Sequence, residues 1–444
     1  MERHVIVPAR RVFGDVRVPG DKSISHRALL IAGIGEGSCD IIGASSSLDV
    51  LASRKALGSL GVHVIGDGNP QVEDEYLSTR EFDWKILVNG RGFQGLREPD
   101  RAIDCANSGT TARTILGILA GRPFTTSLQG DKSLSRRPMA RVVAPLRSMG
   151  ARIEGERDGD RLPLRVYGRE LTGISYRSPV PSAQIKTCLM LAGLQAEGET
   201  VVEEPATSRD HTERMLEYLG VSVERTLNRV VVKSTNIQNA SVLKVPGDIS
   251  SAAFLLVAAA ILPGSRVSVR ELGVNPTRTG ILDVLRRFGA AVEVTDAHEE
   301  CGEPRATVTV SAGDRRPVSV SGDEIPRLVD ELPLVAVLGA YAEGESTIAD
   351  AAELRVKESD RIAGTAGMLG AMGVDVVPTP DGMTIRGGGP LRGASVDANG
   401  DHRIAMAAAV AALGAEGETA IQGWDSVAVS YPRFGSALED LIER

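Results

Sequence analysis

Val18-Pro19-Gly20-Asp21-Lys22-Ser23-Ile24-Ser25-His26-Arg27 runs into an apolar stretch, Ala28 to Ile34, and its first four residues return as Val245-Pro246-Gly247-Asp248 ahead of Ile249-Ser250-Ser251-Ala252-Ala253. A Pro-Gly turn, an Asp in the N-cap place and an apolar run read as a helix start in both copies. Only the first copy carries Lys22, His26 and Arg27. The turn therefore does not need those groups to fold, which frees them for an anionic ligand. A helix start offers unpartnered N–H groups and a dipole end worth about 0.3–1 kcal/mol to an exposed negative charge. Charge-assisted hydrogen bonds from Lys22 and Arg27 add roughly 1.5–3 kcal/mol each. A solvated, capped helix start is the alternative reading, and this stretch alone does not separate the two.

An Ala- and Leu-rich run that ends in a small or acidic residue plus Gly occurs six times, with the Gly at 37, 121, 198, 264, 344 and 417. The spacings of 84, 77, 66, 80 and 73 residues approximate one sixth of the 444-residue chain, so internal repetition sets the architecture. A second helix follows in most copies and closes on Leu-x-x-x-Gly, as at Leu57 to Gly61 and Leu285 to Gly289. Each unit reads as strand, helix, strand, helix and one or two strands. The first helix of each unit is apolar nearly all round and must be buried on every side. The fold class is therefore α/β, with two similar globular domains of three repeat units each. The returning Val-Pro-Gly-Asp turn puts the boundary near 240–245, and the first strand, near Val12 to Val18, could pair in either domain.

Composition narrows the function. A net charge of −8 argues against a general nucleic-acid or anionic-membrane surface, and aromatics at 3% leave little for base stacking. Cys39, Cys105, Cys188 and Cys301 show no paired spacing, so neither a zinc site nor a disulfide framework is expected. With no apolar run at the N-terminus and none of about 18 residues elsewhere, the expected location is the cytoplasm.

Polar residues gather before each buried helix: Lys22 to Arg27, Asn107-Ser108-Gly109-Thr110-Thr111-Ala112-Arg113, Pro181-Ser182-Ala183-Gln184-Ile185-Lys186, Asp248 to Ser251, Asp330-Glu331, and Asp401-His402-Arg403. In a repeat architecture such ends share a face, and two facing domains would turn six of them onto one cleft suited to a small polyanion. Gly130 to Pro138 is a basic loop, whose default reading is a solvated charge run. Lys357 and Arg361, four apart, would share a helix face with Glu358 beside them as a candidate acid. Gly90-Arg91-Gly92-Phe93-Gln94-Gly95 fits a dinucleotide fingerprint but runs into Leu96-Arg97-Glu98-Pro99 rather than a helix, and reads as a turn.

Gly-Asp-Lys-Ser-Ile-Ser-His-Arg at 20–27, Asn-Ser-Gly-Thr-Thr-Ala-Arg at 107–113, Arg137-Pro138, Ser182-Ala183-Gln184, Leu-Arg-Val-Lys-Glu-Ser-Asp-Arg at 354–361 and Asp-His-Arg-Ile-Ala-Met at 401–406 together resemble the 5-enolpyruvylshikimate-3-phosphate synthase family over nearly the whole chain. The resemblance implies transfer of the enolpyruvyl group of phosphoenolpyruvate to the 5-hydroxyl of shikimate 3-phosphate, by a monomer, with no metal or organic cofactor. It also implies two domains of three βαβαββ units around buried parallel helices, an inside-out α/β barrel-like form, with the first strand joining the C-terminal domain, so that the N-terminal domain spans 21–240 and the C-terminal domain is formed by 1–20 and 241–444.

Carried over by motif, Lys22, Ser23, Arg27, Ser182, Ala183, Gln184, Ser208, Arg209, Asp330 and Lys357 would hold shikimate 3-phosphate. Lys22, Gly109, Arg137, Gln184, Arg361 and Arg403 would hold phosphoenolpyruvate. Lys22, Asp330 and Glu358 would be catalytic: Asp330 takes the hydroxyl proton, and Glu358 and Lys22 serve the methylene carbon. His402 is expected to position. Two departures stand out. Val427 to Pro432 lacks a Lys that many members carry there, and Ser182-Ala183-Gln184 resembles the branch that includes glyphosate-tolerant enzymes, although Gly109 is not the bulkier Ala linked with tolerance. Two rivals remain, a UDP-N-acetylglucosamine enolpyruvyl transferase and a catalytically inactive anion-binding protein. The first is expected to carry a loop Cys and a Lys-Asn pair where this chain has Ser133 to Arg137 and Lys22-Ser23.

Overall fold

In the computed structural model, described over residues 3–66 and 84–443, the chain divides into two units. One comprises Gly20–Val245 with Glu300–Glu303; the other comprises Met1–Pro19, Pro246–Glu299 and Pro304–Arg444. Residues 241–245 were expected in the C-terminal domain. They belong instead with Gly20–Val245, because Val242–Lys244 pairs in parallel with Asp40, Ile41 and Ile42.

In the Gly20–Val245 unit, three four-stranded sheets are described, and each has one parallel pair followed by two antiparallel pairs. Their orders are Val242–Lys244, Glu36–Ile42, Lys85–Arg91, His63–Gly66; then Ile103–Asp104, Thr125–Gln129, Arg161–Tyr167, Arg152–Gly155; then Ser175–Arg177, Glu199–Glu203, Arg229–Lys233, Glu224–Arg225. The helices Lys22–Ile34, Gly109–Leu119 and Ala183–Gly193 supply much of the core. Two of them cross so closely that a Cβ on Gly117 would stand 2.0 Å from the Cys188 carbonyl oxygen, so only glycine fits there.

The second unit holds a five-stranded sheet in the order Ala291–Glu300, Glu303–Ser311, Arg266–Gly273, Arg11–Val16, Ile442–Glu443. It also holds a four-stranded sheet, Ser319–Val320, Gly344–Ile348, Gly382–Gly387, Asp375–Thr379, and a three-stranded one, Arg3–Ile6, Thr419–Gln422, Ser395–Asp397. The N-terminal strands thus pair with strands from the end of the chain. Its core helices are Ile249–Ile261, Leu332–Tyr341 and His402–Ala412. All thirteen residues of Ile249–Ile261 are buried, as an all-round apolar helix requires. Each of its large aliphatic or Phe side chains contributes roughly 1.5–3 kcal/mol by leaving water. Among the described residues no helix is long and apolar enough to cross a membrane.

The Gly90 stretch turns where expected over Gly92 to Gly95 but not at its first two residues. Gly90 and Arg91 finish the Lys85–Arg91 strand, pairing with Gly37 and Glu36, and a 3₁₀ turn over Phe93–Gly95 follows. The antiparallel ladder outcompetes a local turn here, and with no helix after the glycines there is no phosphate cradle.

Candidate active site

In the Gly20–Val245 unit the polar residues sit at helix starts held by side-chain caps. Asp21 caps Lys22–Ile34 by accepting the Ile24 N–H at 2.9 Å, Ser108 accepts the Thr111 N–H at 3.1 Å, and Ser182 caps Ala183–Gly193. Lys22 is the first helical residue, and its Nζ lies 2.8 Å from Asp49 Oδ2. Arg27 is 3% exposed. Its Nε donates to Thr212 Oγ1, Nη1 to the Ser23 carbonyl and Nη2 to Thr187 Oγ1, each at 2.8 Å. Burial drops its pKa to about 10, which leaves it charged at neutral pH. It is a fixed cation beneath Ser23, whose hydroxyl also accepts from Arg209 Nη1 at 3.2 Å.

Beside these, Arg113 Nη1 donates to Gln184 Oε1 at 2.7 Å, Gln184 Nε2 donates to Thr110 Oγ1 at 3.1 Å, and Arg137 Nη2 donates to Asn107 Oδ1 at 2.8 Å. Arg137 is 8% exposed, so the expected solvated charge run is in part a buried cation. A Cβ on Gly109 would meet Arg113 Nη1 at 3.0 Å and Arg137 Nη1 at 3.3 Å. His26 is fully buried, and its Nδ1 lies 2.8 Å from Ser53 Oγ. That hydroxyl continues to Thr111 Oγ1 and then to Ser108 Oγ, each step 2.8 Å, linking two helix starts. Burial first, then the Lys22 and Arg27 charges, hold the imidazole well below its ordinary pKa, so it is neutral.

In the second unit the centre is Arg361, 1% exposed. Its Nε donates to Asp401 Oδ2 at 2.8 Å, Nη2 to Glu358 Oε2 at 2.6 Å and Nη1 to Asp330 Oδ1 at 3.3 Å. Burial disfavours its charge, but Asp401, Glu358 and Asp330 outweigh that and raise its pKa. Burial pushes Asp401 upward and Arg361 more than reverses it, so the carboxylate is held below its ordinary range. Asp401 also caps His402–Ala412 through the Arg403 N–H at 2.9 Å and accepts from Ser359 Oγ at 3.0 Å. Lys357 Nζ is 3.6 Å from Asp330 Oδ1, and Arg403 Nη1 is 3.5 Å from Glu331 Oε1. Glu331 also accepts from the Ser250 hydroxyl, to which Arg278 Nη2 donates at 2.6 Å.

The expected catalytic residues are thus divided: Lys22 belongs to one unit, and Asp330 and Glu358 to the other. Lys22, Ser23, Arg27, Ser182, Ala183, Gln184, Ser208, Arg209, Gly109 and Arg137 fall in the first; Lys357, Arg361 and Arg403 join Asp330. Lys357 and Arg361 do not share a helix face. Ala352–Val356 is a 3₁₀ turn, and the helix begins at Arg361 because Asp360 caps it by accepting the Ala363 N–H. They meet through Asp330 instead. Asp49 was missed, since an Asp in the first turn of Leu48–Ser59 reads as ordinary dipole complementation. Arg113 lay inside a quoted motif without a role.

Comparison with known proteins bears on this geometry. Residues 6–438 match the family model described as EPSP synthase (3-phosphoshikimate 1-carboxyvinyltransferase). The chain is 46% identical over 444 residues, 100% of both chains, to the 3-phosphoshikimate 1-carboxyvinyltransferase of Geobacter sp. (strain M21). It is 48% identical over 438 residues to that of Synechococcus sp. (strain JA-3-3Ab), covering 98% of this chain and 96% of the relative. The solved EPSP synthase of Acinetobacter baumannii superposes with a TM-score of 0.85 at 37% identity, covering 100% of this chain and 98% of that one. An enolpyruvyl transferase from Streptomyces tendae, at 19% identity and a TM-score of 0.78 over 99% of this chain and 97% of that one, shares the fold.

Proposed function

The chain belongs to the EPSP synthase family, and on that premise we propose that it transfers the enolpyruvyl group of phosphoenolpyruvate to the 5-hydroxyl of shikimate 3-phosphate, releasing phosphate, as a cytoplasmic monomer without metal or organic cofactor. The observation that carries this reading is the full-length match to such enzymes by a chain whose matched motifs fold into fixed cations at capped helix starts. Two substrates with two phosphates and two carboxylates need such a surplus of cations.

In this reading Ser23, Ser182, Ala183, Ser208, Arg209 and Lys357 bind shikimate 3-phosphate, with Arg27 setting Ser23. Phosphoenolpyruvate lies against Lys22, Gly109, Arg137, Gln184, Arg361 and Arg403. Asp330 accepts the proton of the 5-hydroxyl as its oxygen bonds to C2 of phosphoenolpyruvate, and Glu358 or Lys22 delivers a proton to C3. The tetrahedral adduct then loses phosphate by cleavage of the C2–O bond and a proton from C3, which restores the enol double bond. Both groups of residues must engage the substrates in one turnover. The three similarly ordered sheets of the Gly20–Val245 unit support the finer reading of three βαβαββ repeats per domain around buried helices.

UDP-N-acetylglucosamine is the less favoured acceptor. A reactive loop Cys is absent from Gly130 to Pro138, and burial pushes Cys39 and Cys105 up to about 12, far from thiolate at neutral pH. Phosphate release measured with each acceptor tests the assignment. Release with shikimate 3-phosphate alone is expected; release only with the nucleotide sugar, or with neither, refutes it.

A further inference from the structure

Lys186, the fourth residue of the Ala183–Gly193 helix, is 5% exposed and has no role in the reaction as set out above. Its Nζ lies 3.0 Å from Glu204 Oε2 and 2.8 Å from Glu213 Oε1, with the Ser208 carbonyl oxygen at 3.4 Å. Glu204 in turn accepts the backbone N–H of Ser182 at Oε1, 2.8 Å, and the Ser208 hydroxyl at Oε2, 2.7 Å. One buried carboxylate therefore ties together Ser182 and Ser208, two of the three serines assigned to shikimate 3-phosphate, and one buried ammonium holds that carboxylate.

A carboxylate in such a place is chemically odd. It repels the very anion its neighbours are meant to bind, and it costs free energy to bury unless a cation neutralises it. The other charges acting here are those of Glu213, Arg209, Asp21 and Glu303, all felt by Arg27; Glu303 faces His211 Nδ1 at 2.7 Å. Burial opposes the Lys186 charge, but Glu213 and Glu204 outweigh it and raise its pKa, so the ammonium persists at neutral pH.

We propose that Lys186 is a positioning residue for shikimate 3-phosphate: through Glu204 it fixes the Ser182 backbone and the Ser208 hydroxyl, and it cancels the negative charge that would otherwise face the substrate anion. This inference rests on the functional reading above. Because the anion it serves is present equally in ground and transition states, its loss falls on substrate binding rather than on the chemical step.

The test uses the full-length enzyme with phosphate release followed while each substrate is varied in turn. Lys186→Met is expected to raise KM for shikimate 3-phosphate about tenfold or more, leaving kcat and KM for phosphoenolpyruvate within about twofold. Lys186→Arg, which keeps the charge, is expected to retain most of the affinity, and Glu213→Gln added to Lys186→Met to recover little of it, because Glu204 stays uncompensated. Should Lys186→Met not fold, Lys186→Gln, whose amide still donates to Glu204 but leaves its charge uncancelled, carries the same expectation of a selective rise in KM for shikimate 3-phosphate. An unchanged KM for shikimate 3-phosphate, a parallel rise for both substrates, or a fall in kcat alone overturns the positioning role. A wild-type enzyme inactive on this substrate pair overturns the functional reading instead.

Discussion

Replacing Lys22 by Met separates the chemistry of the first helix start from its folding. Lys22 and Ile249 are each the first helical residue after a capping Asp, so the helix start forms with either side chain. What the substitution does disturb is Asp49, whose side chain is 9% exposed and loses the ammonium at 2.8 Å. Leaving a mostly buried acceptor unpaired costs about 1–3 kcal/mol. Removing a cation from a helix N-terminus returns about 0.3–1 kcal/mol, because the dipole disfavours positive charge there. The net loss, on the order of 1–2 kcal/mol, corresponds to a fall in Tm of roughly 2–8 °C for a unit of this size. Turnover falls far more, by about 10²–10⁴-fold or beyond, since Lys22 is assigned both a proton and a substrate contact. Adding Asp49→Asn removes the orphaned charge and is expected to bring Tm back toward wild type with no recovery of activity. Phosphate release and thermal unfolding, measured on both variants, check this. Turnover within about threefold of wild type for Lys22→Met, or a lost Tm that Asp49→Asn does not restore, refutes the reasoning.

Three further outcomes follow from other parts of the molecule. Arg361→Lys keeps a charge but cannot bridge Asp330, Glu358 and Asp401 at once, so an activity loss of at least about a hundredfold and a destabilisation of about 3 kcal/mol are expected in phosphate-release and urea-unfolding assays. Wild-type enzyme is expected to be inhibited by millimolar glyphosate, because Gly109 leaves space beside Arg113 and Arg137. Gly109→Ala is expected to weaken that inhibition and raise KM for phosphoenolpyruvate, as its Cβ presses on both guanidinium groups. His26 is held neutral below its ordinary pKa of 6.5, so its contribution to stability is intact above that pH and is lost as pH falls, by about 1.4 kcal/mol per pH unit. Urea midpoints between pH 7 and pH 5 are expected to fall less steeply in His26→Gln.

The buried helices were legible because they are apolar nearly all round and, Leu332–Tyr341 after Glu331 excepted, begin at an Asp or Ser that caps, two signals that agree locally. The misreadings arose where a local pattern met a competing partner far away in sequence. Gly90-Arg91-Gly92 looks like punctuation, yet its first two residues complete a ladder with Glu36 and Gly37. The 354–361 charge run looks like a helix face, yet Asp360 delays the helix to Arg361. Val242–Lys244 follows a polar stretch that reads as a linker, yet it pairs with Asp40 to Ile42, two hundred residues earlier. Charge partners were the least legible of all. Nothing around Asp49 announces Lys22, and nothing around Glu204 announces Lys186.

That asymmetry between visible helices and hidden charge pairs follows from how a helix start is built. Capping is settled within three residues, so Asp21 and Asp248 declare their function in the chain, each accepting an N–H two or three positions on. A cation placed at the same turn is unfavourable to the dipole and persists only where a carboxylate or a ligand anion stands against it. In the copy at Asp248 the first helical position is the apolar Ile249, and the nearby cation, Arg278, comes from another segment to meet Asp248 at 3.3 Å and the Ser250 hydroxyl at 2.6 Å. In the copy at Asp21 the cation stands on the helix itself. The two copies thus share a backbone solution and differ in whether a charge is placed against the dipole, and the copy that accepts that cost is the one whose Lys22 is assigned to hold an anion.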